Sequence, residues 1–259
     1  MSFAASLRLL HVGFLLHFKA ASRNGMDVLG ATIWPLVYAS LAFFMFRAGG
    51  HSEALFNVTI GASVLGSWSI AVSSAGNTLQ MQRWLGTLES LVAAPAPFAV
   101  TLGTITLALA TLGIYSVGAT LLWARFLFGI PIDIAHPLLF VATLPFMMGS
   151  IGVFGFFLAA SCVLYRTAWA LTNLFEFPGW LISGLIVPIS LLPVWVRPLS
   201  WLLAPTWGVR AMRAAASGGP VLPSLGMCAV LSVAYLAAGL VFLRVVLHRA
   251  RASATFSLT

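Results

Sequence analysis

Long apolar runs separated by short polar punctuation dominate this chain. Runs of about 20 residues recur at 28–46, 54–76, 98–123, 138–161, 173–192 and 225–247. Each is long enough to cross ~30 Å of hydrocarbon as a helix. Six such runs predict an all-α membrane protein with six transmembrane helices, because a helix satisfies its own backbone polar groups in lipid. Alternating strands of about ten residues, the mark of a membrane barrel, are absent.

Three segments depart from the pattern. In residues 1–25, Arg8, His11, His17 and Lys19 interrupt Leu and Phe, which predicts a helix lying at the membrane interface. Lys19 and Arg23 follow the apolar run rather than lead it, so a signal peptide is not expected. Residues 77–95 are too hydrophilic for lipid and too patterned for a bare loop. They are expected to form a short helix projecting from the cytoplasmic ends of two spans, with Gly86 allowing close approach of a partner and Arg83 and Glu89 as charged handles.

Residues 193–220 are rich in Pro, Trp and Arg. Pro198 and Pro205 bracket a helix of about 7 residues, and 206–217 gives about 12, so the two reach roughly 10 and 18 Å, short of a crossing. Pro205 breaks any continuous helix by removing a donor. The expectation is an outer re-entrant hairpin, with Arg197, Arg210 and Arg213 at its rim reaching lipid phosphates or water. No linker or repeat divides the chain, so 1–259 reads as a single transmembrane domain.

Composition narrows the class. Of 259 residues, 61% are hydrophobic and 7% charged, which excludes a soluble globular domain, a disordered chain and a disulfide scaffold. The net charge of +8 comes from basic residues scattered singly beside apolar runs, the pattern of a protein facing anionic lipid rather than nucleic acid. With both termini in the cytoplasm, Arg8, Lys19, Arg23, Arg83, Arg166, Arg244, Arg249 and Arg251 lie inside, eight of the 13 basic residues. That bias predicts a multi-pass plasma-membrane (bacterial inner-membrane) protein with both ends inside. Cys162 and Cys228 fall near opposite ends of their spans, so no disulfide is expected between them.

The chemistry available is sparse. Asp27, Glu53, Glu89, Asp133 and Glu176 lie more than a helical turn apart, so no carboxylate pair offers acid–base work or holds Mg²⁺. The five histidines show no ligand spacing, and no metal is expected. The only lysine, Lys19, follows no glycine run, so this chain is expected neither to hydrolyse ATP nor to be an enzyme. A lipid-modifying enzyme would need an acid, His or Cys constellation that is not seen. A channel or secondary transporter would need a filter run or more buried charge.

Some residues carry two readings. Glu176 is the one acid inside a predicted span. It is either a functional intramembrane acid or a residue of the first turn at the cytoplasmic boundary, meeting the helix dipole and Arg166. Thr59, Ser63, Ser67, Ser74 and Thr78 share an arc of roughly 100°, either packing helices or lining a path. Trp34, Tyr38 and Trp68 face either substrate or the protein core and lipid.

Arg83, Gly86, Thr87, Leu88, Glu89, Leu91 and Pro95, spaced R-x-x-G-T-L-E-x-L-x-x-x-P, resemble the segment after the second span of type-2 ABC export permeases. Phe177 and Pro178, Ser183 and Gly184, Pro188, Leu192 and Pro193, Pro205 and Thr206, and the region of Arg210 and Arg213 resemble that family's fifth span and outer hairpin. The resemblance covers nearly the whole chain. It implies a membrane subunit of a bacterial exporter of drugs, lipids or polysaccharides. It further implies two permease copies, identical or paralogous, and a separate cytoplasmic ABC ATPase that carries ATP and Mg²⁺. The segment with Gln82, Arg83, Gly86, Thr87, Leu88 and Glu89, together with the N-terminal helix, would dock on that ATPase. Substrate would pass between the two permeases along the first, second and fifth spans, past Trp34, Tyr38, Ser63, Ser67 and Ser74.

Overall fold

The computed structural model describes residues 3–48, 55–86, 97–163, 168–186, 189 and 192–253. These residues form ten helices: α1 (Phe3–Arg23), α2 (Gly25–Ala48), α3 (Leu55–Trp84), α4 (Phe98–Thr111), α5 (Gly113–Phe126), α6 (Pro137–Cys162), α7 (Ala168–Ile182), α8 (Arg197–Leu202), α9 (Ala204–Ser217) and α10 (Leu222–Ser253). No strand occurs among the described residues. Five stretches are long and apolar enough to cross a membrane: Val28–Ala48, Leu55–Ser73, Phe98–Phe126, Pro137–Ser161 and Leu222–His248. The protein is all-helical and multi-pass.

The expected fifth span takes a different form. Helix α7 is described from Ala168 onward and stops at Ile182, well short of the expected end at residue 192. Ser183 and Gly184 end it, with Gly184 at φ 75°, a left-handed conformation that glycine adopts without steric cost. Its apolar run continued through residue 192, so hydropathy alone extended the helix past its stop.

Helix α3 is the axis of the bundle. It packs against α2, α4, α5, α6, α7 and α9. Two features let it hold so many neighbours. The first is close approach of backbones. Pro35 inside α2 leaves the Ala31 carbonyl without its usual helical donor, and Gly66 of α3 lies against both. Gly113 sits against Ser67, and a methyl group at either Gly66 or Gly113 would collide with its neighbour. The second is hydroxyl bonding between helices. Ser67 Oγ donates to the Ala110 carbonyl at 2.6 Å, and Ser116 Oγ donates to the Ser63 carbonyl at 2.5 Å. In a medium that offers no competing water, such bonds and small-residue contacts hold helices together.

The core follows from this axis. Ile60, Val64, Leu65, Trp68 and Val72 of α3 meet Met147, Ile151 and Phe154 of α6 and Val209, Met212 and Ala215 of α9. A second cluster joins Phe98 and Leu102 of α4 to Phe156 and Ala159 of α6 and Leu243 and Val246 of α10. Helix α1 lies along α4, with Gly13 against Thr104.

The segment after residue 192 folds as two short helices. They span 6 and 14 residues, close to the expected lengths of about 7 and 12. Helix α9 seats its apolar face on α6 and α10, placing Gly208 against Met147 and Cys228, a buried free thiol. Its C-terminal carbonyls are satisfied: the amides of Ala135 and His136 donate to the Ala216 and Ala215 carbonyls at 3.0 and 3.1 Å. Tyr235 Oη of α10 donates to the Leu202 carbonyl at the end of α8, at 3.1 Å.

Candidate functional site

Three regions carry the residues singled out by the sequence. The first is the C-terminal end of α3. Residues 77–84 continue α3 without a break, giving a rod of 30 residues, about 45 Å long, and the rest of the expected coupling helix, 87–95, lies outside the described residues. Nothing in 70–84 is a proline or glycine except Gly76, so the helix has no reason to stop where the residues turn polar. It ends at Gly86, exposed, with φ 65°. Gln82 is half-buried near that end, whereas the Arg83 side chain and Thr87, Leu88 and Glu89 lie outside the described residues. The polar reading also missed an apolar face. Met81, Trp84 and Leu85, spaced i, i+3 and i+4, are exposed, Trp84 to 76%. Apolar residues at helical spacing inside a polar stretch were the available signal.

The second region is the hairpin. Pro193 is exposed ahead of α8, and Pro205 is buried in the first turn of α9, where its missing amide costs no helical bond. Thr206 is buried and its hydroxyl has no hydrogen-bond partner. Arg210 stays exposed, its guanidinium 5.3 Å from the centroid of the Trp207 indole. Arg197 donates from Nε to the Leu192 carbonyl at 3.2 Å.

Arg213 departs from the expectation of a rim residue. Its guanidinium turns inward and donates to three carbonyls, from Nη2 to Leu185 at 2.7 Å, Nη1 to Gly184 at 3.0 Å and Nε to Asn57 at 3.1 Å. The break after α7 exposes the first two carbonyls, and the planar fork of five donors is matched to such a set. Arg213 therefore ties α9, the end of α7 and the first turn of α3 into one unit.

The third region surrounds Glu176. It lies two turns into α7, not in its first turn, and Arg166 lies outside the described residues. Ser69 Oγ of α3 donates a short hydrogen bond to Oε1 of Glu176. Trp68 Nε1 donates to the Glu176 backbone carbonyl at 3.3 Å, and Gly179 makes room for the Trp68 ring. Glu176 itself is half-buried. Beside it, Trp34 and Tyr38 of α2 and Trp180 of α7 form a ladder, with centroids 6.2 and 6.0 Å apart. Trp34 is 57% exposed, so the ladder leads from the surface inward.

The other stripe residues sit elsewhere. Ser63 and Ser67 are fully buried. Ser67 is bonded across to α4, and Ser63 Oγ donates within α3 to the Ile60 carbonyl at 2.7 Å. Thr59 bonds back to Leu55 in its own helix, at 2.8 Å. These hydroxyls occupy helix seams in this chain. The side chains of Ser74 and Thr78 lie outside the described residues. Ser69, Trp68 and Trp180, which complete the Glu176 cluster, were not grouped by sequence, because only the crossing of α3 and α7 brings them together.

Residues 9–216 match the family model described as ABC-2 type transporter. No curated protein matches the chain.

Proposed function

Because the chain belongs to the ABC-2 type transporter family, the membrane permeases of type-2 ABC transporters, we propose that it is the transmembrane subunit of an ABC exporter. The family implies a partner ABC ATPase, which supplies the ATP-hydrolysing step. On this reading two permease copies, identical or paralogous, assemble with two ATPase subunits in a bacterial inner membrane, both termini of each permease facing the cytoplasm. The cargo is a drug, lipid or glycan moved outward, and ATP with Mg²⁺ is bound on the ATPase.

The observation that carries the reading is the continuity of α3. One unbroken helix joins the centre of the bundle to an exposed inner end that carries Met81, Trp84 and Leu85. An apolar face of that kind, next to the G-T-L-E segment, suits insertion into a groove on a soluble partner. Residues 87–95 and α1 then complete the docking surface.

The outer hairpin is proposed to enter the outer leaflet without crossing it. Tyr235, which holds the Leu202 carbonyl, lies about 20 Å along α10 from its outer end. Met147, which meets Gly208, lies about 15 Å along α6 from its own. Those two contacts support a hairpin tip well below the rim.

The test is copurification. The tagged chain, extracted gently from its native membrane, should bring down an ATPase with a phosphate-binding loop. A Trp84→Asp variant should still insert and elute as a single species, yet lose most of that ATPase. Full retention of the ATPase by Trp84→Asp, or no ATPase with the wild type, overturns the proposal.

A further inference from the structure

Resting on the exporter reading, we infer that the surface where α2 and α7 meet over α3 is a binding site for amphiphilic cations, molecules with a positive charge on an aromatic or apolar body. Four observations converge on it. An ionisable acid stands inside the bundle at Glu176, its carboxylate held by Ser69. Among the described residues no basic side chain pairs with Glu176, and the nearby buried cation, Arg213, is committed to three carbonyls. Within the described residues that acid is met only by a neutral hydroxyl, and an arriving cation would compensate its charge.

Beside the carboxylate lie three aromatic faces, Trp34, Tyr38 and Trp180, in an unbroken ladder. Aromatic faces attract cations through their quadrupole and accept apolar rings by stacking. Trp180, the last rung of the ladder, follows Glu176 by one turn of α7, so ladder and acid form one site. The levels also agree. Trp34 sits about 14 Å from the inner end of α2, and Glu176 about 12 Å from the inner end of α7. A ligand body resting on Trp34 and Tyr38 therefore brings its charge to the depth of the carboxylate.

Selectivity follows from the same geometry. An anion of the same shape finds the same rings but meets a carboxylate of its own sign. A neutral molecule gains the stacking alone. The site should sort ligands by the sign of their charge.

Tetraphenylphosphonium and tetraphenylborate are near-isosteres of opposite charge, and they isolate that feature. The permease with its copurified ATPase, in discs of zwitterionic lipid without a membrane potential, is titrated with each ion by equilibrium dialysis, and partition into empty discs is subtracted. The wild type should bind the phosphonium at least about tenfold more tightly than the borate. Glu176→Gln keeps an oxygen for Ser69 but carries no charge, and should lose most of that preference. Glu176→Asp should restore most of it. Trp34→Leu, at an exposed position that folding does not need, should weaken both ions several-fold, the phosphonium more than the borate.

Equal binding of the two ions by the wild type, or an unchanged ratio in Glu176→Gln that elutes as folded protein, overturns the inference. Those results, obtained on a complex that retains its ATPase, leave the exporter reading standing. Loss of the ATPase from the wild-type preparation is the separate failure that removes that reading.

Discussion

Helices α3 and α10 are the two longest in the molecule, 30 and 32 residues, and both are apolar enough to span. Their surroundings are opposite: 72% of the apolar window of α3 is buried in the protein, against 17% for α10. Hydropathy does not separate them. What does is the size and chemistry of the side chains on the packing faces. Helix α3 offers Gly61, Gly66, Ser63 and Ser67 to neighbours whose backbones come close. Helix α10 turns Val230, Val233, Leu236, Val241 and Val245 outward, and meets α6 and α9 along one side only. In lipid, leucine and valine gain nothing by choosing protein over acyl chain, so centrality is written in small and hydroxylated residues.

That contrast is open to attack at several points, the strongest first. Replacing Arg213 by Leu strips three carbonyls, at the first turn of α3 and the end of α7, of their donor. It should cost about 3 kcal/mol or more, read as a large fall in the midpoint of thermal aggregation in detergent. Arg213→Lys keeps the charge without the fork, and should recover only part of the loss. Gly61→Ala drives a methyl group into the Leu185 carbonyl and should cost about 1–3 kcal/mol in the same assay. The matched change on α10, Gly226→Ala, meets nothing within 4 Å and should leave the midpoint unmoved. If the two alanines behave alike, the contrast between the helices collapses.

Smaller effects sharpen it. Ser67→Ala removes one interhelical bond and should cost about 1 kcal/mol, whereas Val233→Ala on the outer face of α10 should stay within about 0.5 kcal/mol. The smallest is a pH effect at α1. Burial pushes the His17 imidazole below its ordinary value, so the folded state favours the neutral ring. The sign follows from proton binding. The undocked helix takes up a proton more readily, so docking is strongest above the ordinary histidine value and weakens as the pH falls below it. Amide exchange across residues 14–19, corrected for its intrinsic pH dependence, should quicken on acidification from pH ~7.5 to ~5. His17→Leu should abolish the dependence.

The comparison also explains which parts of the molecule the sequence disclosed. Continuous apolarity located five spans to within a few residues, because lipid tests only length and polarity. The third began at Phe98 as expected, and the fourth covered 137–162 against an expected 138–161. It failed where a local conformation overrides polarity. The apolar run through residue 192 hid the stop at Ser183 and Gly184, and the polar run after residue 76 hid the continuation of α3.

Side-chain partners were harder still. An arginine near the end of a short helix reads as a rim residue unless the acceptors are known, and those of Arg213 lie 28, 29 and 156 positions away in sequence. The serine stripe was legible as a stripe. Its role needed the complementary Gly113 and Ser116 on the third span, visible in the same sequence as small residues set opposite small residues. Glu176 stood out by its rarity, but Ser69 and Trp180 became its neighbours only through the crossing of two helices.

Pro35, Pro145 and Pro178 interrupt α2, α6 and α7, but α3 has no proline within its length. A helix without such hinges tilts as a stiff beam, and the crowded contact at Gly66 and Ser67 is the natural fulcrum. The C-terminal arm, from Ser67 to Trp84, is about 25 Å long, and the N-terminal arm, from Ser67 to Leu55, about 18 Å. A displacement of about 2 Å at Trp84 thus rotates the beam by roughly 5° and carries Leu55 about 1.5 Å the opposite way. Asn57, close to the N-terminal tip, is where Arg213 fastens α9 to the beam, so α9 is yoked to the motion of the C-terminal end.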